Sequence, residues 1–112
     1  MTAEHPVAPQ AVPGFTVYAA DHQRAELVLA GEIRIEALPE LERILHAPPL
    51  SEASAWLIDM HAVTRFDLAG AYALIRAITS RNEPPAVTIH GTPRMVQRAF
   101  RHTGLDEIAT MT

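Results

Sequence analysis

The chain has 112 residues, 48% hydrophobic and 20% charged. That is enough for one domain of the usual ~100–150 residues and too little for two. It contains no cysteine, which excludes disulfides, thiolate catalysis, cysteine zinc sites and iron–sulfur clusters, and it contains no lysine, which excludes the lysine-dependent phosphate loop. All nine basic residues are arginine, against thirteen acids, for a net charge of −4. A nucleic-acid binder relying on phosphate neutralisation would be basic, so no nucleic-acid partner is expected. The charge is uneven: residues 1–58 carry −5 and residues 59–112 carry +1. No apolar run approaches the ~20 residues of a membrane span, so no direct membrane insertion is expected. No basic cluster followed by an apolar stretch opens the chain, so a cytoplasmic location is expected.

Residues 1–14 hold Pro6, Pro9 and Pro13 among small and polar residues. Proline lacks the ladder donor and biases its predecessor toward extended conformations, so this stretch reads as a flexible or extended arm outside a domain of residues 15–112. Phe15–Ala20 reads as a strand, Asp21 to Arg24 as a polar turn, and Leu27-Val28-Leu29 as a second strand ending at Gly31. Together they predict a β-hairpin. Leu38, Leu41, Ile44 and Leu45 then recur at helical spacing, with Pro39 suited to the first turn and Pro48-Pro49 as the stop.

Trp56-Leu57-Ile58 is a continuous apolar run, expected for a strand covered on both faces, with Asp59 at its end. A loop is expected from His61 to Asp67, and a second helix from about Leu68 to Arg81. On that helix Leu68, Tyr72, Ile75 and Thr79 form one face, with Leu74 and Ile78 beside it, while Arg76, Ser80 and Arg81 face water. Asp67 stands where an N-cap belongs. Ala86–His90 reads as a further strand with Val87 and Ile89 inward. Thr92 is expected to cap a third helix, with Pro93 in its first turn and Met95, Val96, Ala99 and Phe100 on its apolar face. Gly104 supplies a left-handed stop, Leu105 packs back, and residues 106–112 add a short strand or turn.

The order β-β-α-β-α-β-α predicts a single α/β domain with a mostly parallel, four- to five-stranded sheet and an N-terminal hairpin. Parallel crossovers gather the loops of residues 61–68 and 91–94 on one edge, where open sheets of this kind bind. Equipment for chemistry is sparse. Of the histidines at 5, 22, 46, 61, 90 and 102, only His61 and His90 are expected to be neighbours. A metal site there would need Asp59 or Asp67 as a third ligand, and loop histidines bonded to backbone or water are the simpler reading. Asp59 and Asp67 lack the setting of a glycosidase pair, and Ser51, Ser54 and Ser80 lack a nucleophile motif. No catalytic residue, metal or cofactor is therefore assigned. Arg94, Arg98 and Arg101 at i, i+4 and i+7 make a basic stripe on the third helix, read first as a solvated face and second as a contact for an acidic partner, a phosphate or an anionic lipid headgroup.

Two segments resemble a known family. One runs from Trp56 through Asp59, Thr64, Arg65, Phe66, Asp67, Leu68 and Ala69 to Gly70, and the other from Val87 through Gly91, Thr92, Pro93 and Arg94 to Leu105. Both are similar to the STAS domain shared by sulfate transporters and anti-sigma factor antagonists. Leu27 to Ile33, with its Gly31-Glu32 turn, and Pro39-Glu40-Leu41 resemble the same family's second strand and first helix, so the likeness spans about residues 15–108.

The resemblance implies a non-enzymatic module that binds a protein partner, an anti-sigma factor or kinase, through Thr64, Arg65, Phe66, Asp67, Leu68, Ala69, Gly70 and Tyr72. His90, Thr92 and Arg94 are a possible second contact. Relatives follow the aspartate with a phosphorylatable serine or threonine, then a small residue and glycine. Here the four are Asp67, Leu68, Ala69 and Gly70. Leucine cannot carry the ~−1.5 to −2 charge of a phosphate, so the family's switch is expected to be absent at this position. Leu68 instead offers an apolar contact, either to a partner or to the core. The run from Thr64 to Ala71 also resembles STAS subunits of ABC-type phospholipid transporters, whose partner is the transporter ATPase.

Overall fold

The computed structural model describes residues 10–12, 14–21 and 23–112. Six strands and three α-helices follow one another as β1 (Gln10–Val12), β2 (Phe15–Ala19), β3 (Arg24–Ile33), α1 (Leu38–Leu45), β4 (Ala55–Phe66), α2 (Leu68–Thr79), β5 (Ala86–His90), α3 (Arg94–Thr103) and β6 (Thr110–Met111). One sheet takes them in the order β1-β2-β3-β4-β5-β6. The first two pairings are antiparallel and the remaining three are parallel. This is the expected mixed α/β fold, widened by two short edges. One edge is β1, which pairs with β2 although the arm expectation placed Gln10–Val12 outside the domain. The rest of that arm, residues 1–9 and Pro13, lies outside the described residues, as do His5 and His22.

Each parallel crossover advances one strand in the same direction, and right-handed crossovers of that kind lay their helices on one face of the sheet. The helices accordingly form a single layer, α1 against α2 and α2 against α3. Burial follows. Leu27, Leu29, Trp56, Ile58, Met60, Val87 and Ile89 point to the helices and are buried. Between Trp56 and Ile58, Leu57 is 41% exposed on the other face. The continuous apolar run of β4 is thus covered on one face only, because no helix crosses back to the second.

β3 and β4 are longer than their patterns indicate. β3 runs past Gly31 to Ile33, and β4 runs through the expected loop to Phe66, so Glu32 pairs with Arg65 and Ile33 with Phe66. Two register shifts, between Val28 and Ala30 and between Gly31 and Glu32, take up extra residues of β4 as bulges. Bulges interrupt the two-residue alternation, which is why this half of β4 reads as a loop in the sequence.

α1 keeps all four of its predicted inner residues and α3 keeps two of its four. Leu38, Leu41, Ile44 and Leu45 of α1 are buried, as are Val96 and Phe100 of α3. Met95, placed on the apolar face of α3 by its spacing, is 64% exposed instead. α3 also starts one residue later than expected: its N-cap is Pro93, and Thr92 makes no side-chain cap. Thr92 is buried with its hydroxyl unpartnered, while its carbonyl accepts from Gln97 Nε2 at 2.9 Å. Gly104 ends α3 at φ +89, a conformation that other residues rarely adopt, and its N–H donates to the Phe100 carbonyl at 3.1 Å.

Candidate protein-interaction site

β4 delivers Phe66 to the edge of the sheet and turns directly into α2 at Asp67. The turn is fixed from three sides. The Asp67 N–H donates to the Ile33 carbonyl at 2.8 Å, its carbonyl accepts from the Gly70 N–H at 2.8 Å, and its Oδ1 accepts from the Ala69 N–H at 2.9 Å. Asp67 is therefore the N-cap the sequence indicates, and its carboxylate complements the positive end of the helix.

Two members of the predicted contact set lie inside. Phe66 is buried, with its ring edge-on to Phe100 at 5.7 Å between centroids. Gly70 is buried beneath it: a Cβ there would stand 2.7 Å from Phe66 Cζ, closer than carbon atoms approach. Phe66 and Gly70 thus shape the turn from within, and Ala69 packs partly against the core. Thr64 and Arg65 are exposed, and Asp67 is half-buried.

α2 resolves the alternatives for Leu68. The spacing correctly groups Leu68, Tyr72, Ile75 and Thr79 on one face, but that face points away from the sheet. The inner face is made of Gly70, Ala71, Ala73, Leu74, Ala77 and Ile78. Leu68 is 42% exposed and Tyr72 is 43% exposed, while Ile75 is half-buried and packs against the core. α2 is apolar on both sides: Leu74 and Ile78 are buried among small residues on the inner face, while Leu68 and Tyr72 are presented outward. Ile35, at 58% exposure, extends this patch. It follows β3 and shares a shallow depression with Arg34, Glu36, Arg65 and Asp67. Its signal in the sequence was an isoleucine between two charged residues, beyond the end of the expected strand.

The second contact set is not brought together. Arg94 is exposed at the start of α3 and Thr92 is buried below it, whereas His90 lies on the open face of the sheet, where its Nδ1 is 3.0 Å from Thr112 Oγ1. His61 and His90 are neighbours, as expected, with ring centroids 5.0 Å apart in an edge-to-face arrangement. His61 Nδ1 is 2.8 Å from Asp59 Oδ1, which also accepts from the His61 N–H. Among the described residues no three His, Asp or Glu side chains are arranged as a metal site. Among the described residues no helix is long and apolar enough to cross a membrane.

A family profile described as "Mlab, STAS domain" matches residues 16–111. The fold is similar to the solved structure of the anti-sigma factor antagonist SpoIIAA in its unphosphorylated form, at 12% identity over 88% of this chain and 87% of that one, with a TM-score of 0.71. The SpoIIAA of Bacillus in its phosphorylated form is similar at 11% identity, 88% and 90% coverage and a TM-score of 0.68. An anti-sigma factor antagonist from Mycobacterium paratuberculosis is similar at 20% identity, over 99% of this chain and 89% of that one, with a TM-score of 0.72. At such identities the likeness is one of fold. No curated protein matches the chain.

Proposed function

The chain belongs to the STAS domain family, and from that premise we propose that it is a non-catalytic regulatory module of the anti-sigma factor antagonist kind, binding a protein partner through the end of β4 and the first turns of α2. The carrying observation is the outward apolar pair Leu68 and Tyr72, continued by Ile35 across the Asp67 turn. Large apolar side chains left in water on one face are the ordinary mark of an interaction surface. Thr64, Arg65 and Asp67 form its polar rim, while Phe66, Ala69 and Gly70 hold its shape from below.

The partner is an anti-sigma factor or its kinase, and the protein works in the cytoplasm without a cofactor. Leu68 stands where relatives carry the phosphorylated hydroxyl, so the contact is not switched at that position. A leucine there adds apolar area to the docking face in place of a charge that can be added or removed. A second reading makes the partner the ATPase of an ABC-type phospholipid transporter, supported by the likeness of residues 64–71 to the STAS subunits of such systems.

Both readings are tested by co-expressing the tagged chain with the products of its neighbouring genes. Recovery of an anti-sigma kinase supports the first, and recovery of a transporter ATPase selects the second. In either case Leu68→Arg and Tyr72→Glu should release the partner while leaving the fold intact. A partner held equally well by both variants would place the interface elsewhere. Incubation with the recovered kinase and ATP should leave residues 61–70 free of phosphate.

A further inference from the structure

Five of the nine arginines are engaged within the chain. Arg24, Arg34, Arg43 and Arg76 pair with carboxylates, and Arg81 donates to the Ala53 carbonyl at 2.7 Å. The other four, Arg65, Arg94, Arg98 and Arg101, make no ion pair among the described residues. Three of these lie on α3, whose ten residues include no acid. That concentration is unusual in a chain with four more acids than bases.

The orientation of α3 places this charge beside the apolar stripe of α2. On one flank of α3, Gln97 and Arg101 border a depression shared with Asp106, Met111 and Thr112 on the β6 side. Helical spacing puts Met95 and Ala99 on the opposite flank, the one toward α2. Arg94 and Arg98 stand at the crest between the flanks. α2 and α3 pack side by side, so the groove that two packed helices leave on their outer side has Leu68 and Tyr72 on one wall and Met95 and Ala99 on the other, with the basic Arg94 and Arg98 above the far wall. The near wall, toward α1, is neutral, because Arg76 is paired with Glu42 at 2.8 Å.

We propose that this groove between α2 and α3 receives an acidic amphipathic helix of the partner. Its apolar side chains lie on Leu68, Tyr72 and Met95, and its carboxylates meet Arg94 and Arg98. The inference rests on the reading of α2 as the partner face and names the chemistry that face selects. Two neighbouring parallel helices present a groove of a width that a third helix fills. The charge is one-sided, so it fixes which flank of the incoming helix carries acid, and hence its direction or register. A bilayer is the poorer fit, because Glu36 and Glu42 on the α1 side and Asp106 beside Arg101 interrupt the basic surface that an anionic membrane would need.

The test titrates the purified chain, by fluorescence anisotropy, with two labelled synthetic helices. Both carry leucine at i, i+4, i+7 and i+11; one is flanked by glutamate and the other by lysine. The glutamate helix should bind at least about tenfold more tightly, and its affinity should fall as salt is raised from about 50 to about 300 mM. Arg94→Glu with Arg98→Glu should abolish or invert that preference, and Tyr72→Glu should weaken both peptides, with circular dichroism melts confirming that each variant folds. Equal binding of the two peptides, no binding of the glutamate helix, or indifference to the charge reversal would overturn the proposal. So would binding to phosphatidylglycerol vesicles that the charge reversal removes, if the glutamate helix does not bind. A natural partner that is released by Tyr72→Glu yet unaffected at Arg94 and Arg98 would sink the acidic-helix inference alone. A natural partner indifferent to all these changes would sink the α2 reading beneath it.

Discussion

Replacing Gly70 by alanine tests the construction of the turn that carries the site. A Cβ at Gly70 would lie 2.7 Å from Phe66 Cζ, 2.9 Å from Cε2 and 3.3 Å from Cε1. Carbon atoms settle at about 3.5–4.0 Å, so the ring must retreat by the better part of an ångström. It has little freedom to do so, since Phe66 is buried and its ring abuts the fully buried Phe100. Overpacking of this kind costs about 1–3 kcal/mol. Against it stands the gain of about 1 kcal/mol for replacing glycine by alanine in a helix. The balance is a net loss of about 1 kcal/mol, or a fall in Tm of roughly 4 °C for a domain of this size. Urea denaturation followed through the single buried tryptophan, Trp56, measures it. The decisive comparison is a double-mutant cycle with Phe66→Leu. The shorter side chain removes the obstruction, so Gly70→Ala should turn stabilising by up to about 1 kcal/mol in that background. A stabilised single variant, or an additive cycle, would refute the steric account.

Three further outcomes are expected. Leu68→Ala should cost under about 1.5 kcal/mol, because part of the side chain is already in water, whereas Leu41→Ala in the core of α1 should cost about 2–5 kcal/mol; equal losses in urea melts would return Leu68 to the core. Asp67→Ala should remove about 1 kcal/mol by exposing the Ala69 N–H, and Asp67→Asn should keep most of that, since an amide oxygen caps as well. Asp21 accepts from the Gln23 N–H at 2.7 Å and the Arg24 N–H at 2.9 Å, and these bonds, Gln23 first, hold its carboxyl below the ordinary 3.8. A lowered native value makes its stabilisation of the β2–β3 turn complete above pH 3.8 and lost as the pH falls through the native value, so Asp21→Asn should flatten the acid limb of the stability profile.

Some signals in the sequence have one reading, and the structure agrees with it. The spacing of Leu38, Leu41, Ile44 and Leu45 has one reading, and all four are buried. Asp67 ahead of an apolar helical run is a cap, and it caps. The departures arise where two physical demands share a segment. In β4, bulges break the alternation that identifies a strand, so residues 61–66 read as a loop although they pair with β3. In α2, periodicity groups Leu68 with Tyr72 and Ile75 but cannot say which way the group points, because the opposite face is also apolar. The inner face is already filled by Leu74 and Ile78 among the glycine and alanines, and Leu68 and Tyr72 are left outside. Met95 follows the same rule, because Val96 and Phe100 already fill the inner side of α3.

The exposed stripe on α2 is thus built into the packing of the fold. Gly70 must be small to pass under Phe66, and Ala71, Leu74, Ala77 and Ile78 close the inner face. The outer face is left to Leu68 in the first turn and Tyr72 in the second, both exposed. On the docking reading proposed above, Leu68 and Tyr72 give the contact its apolar part, and the charged groups that border it are Arg65 and Asp67 at the turn and Arg94 and Arg98 on α3.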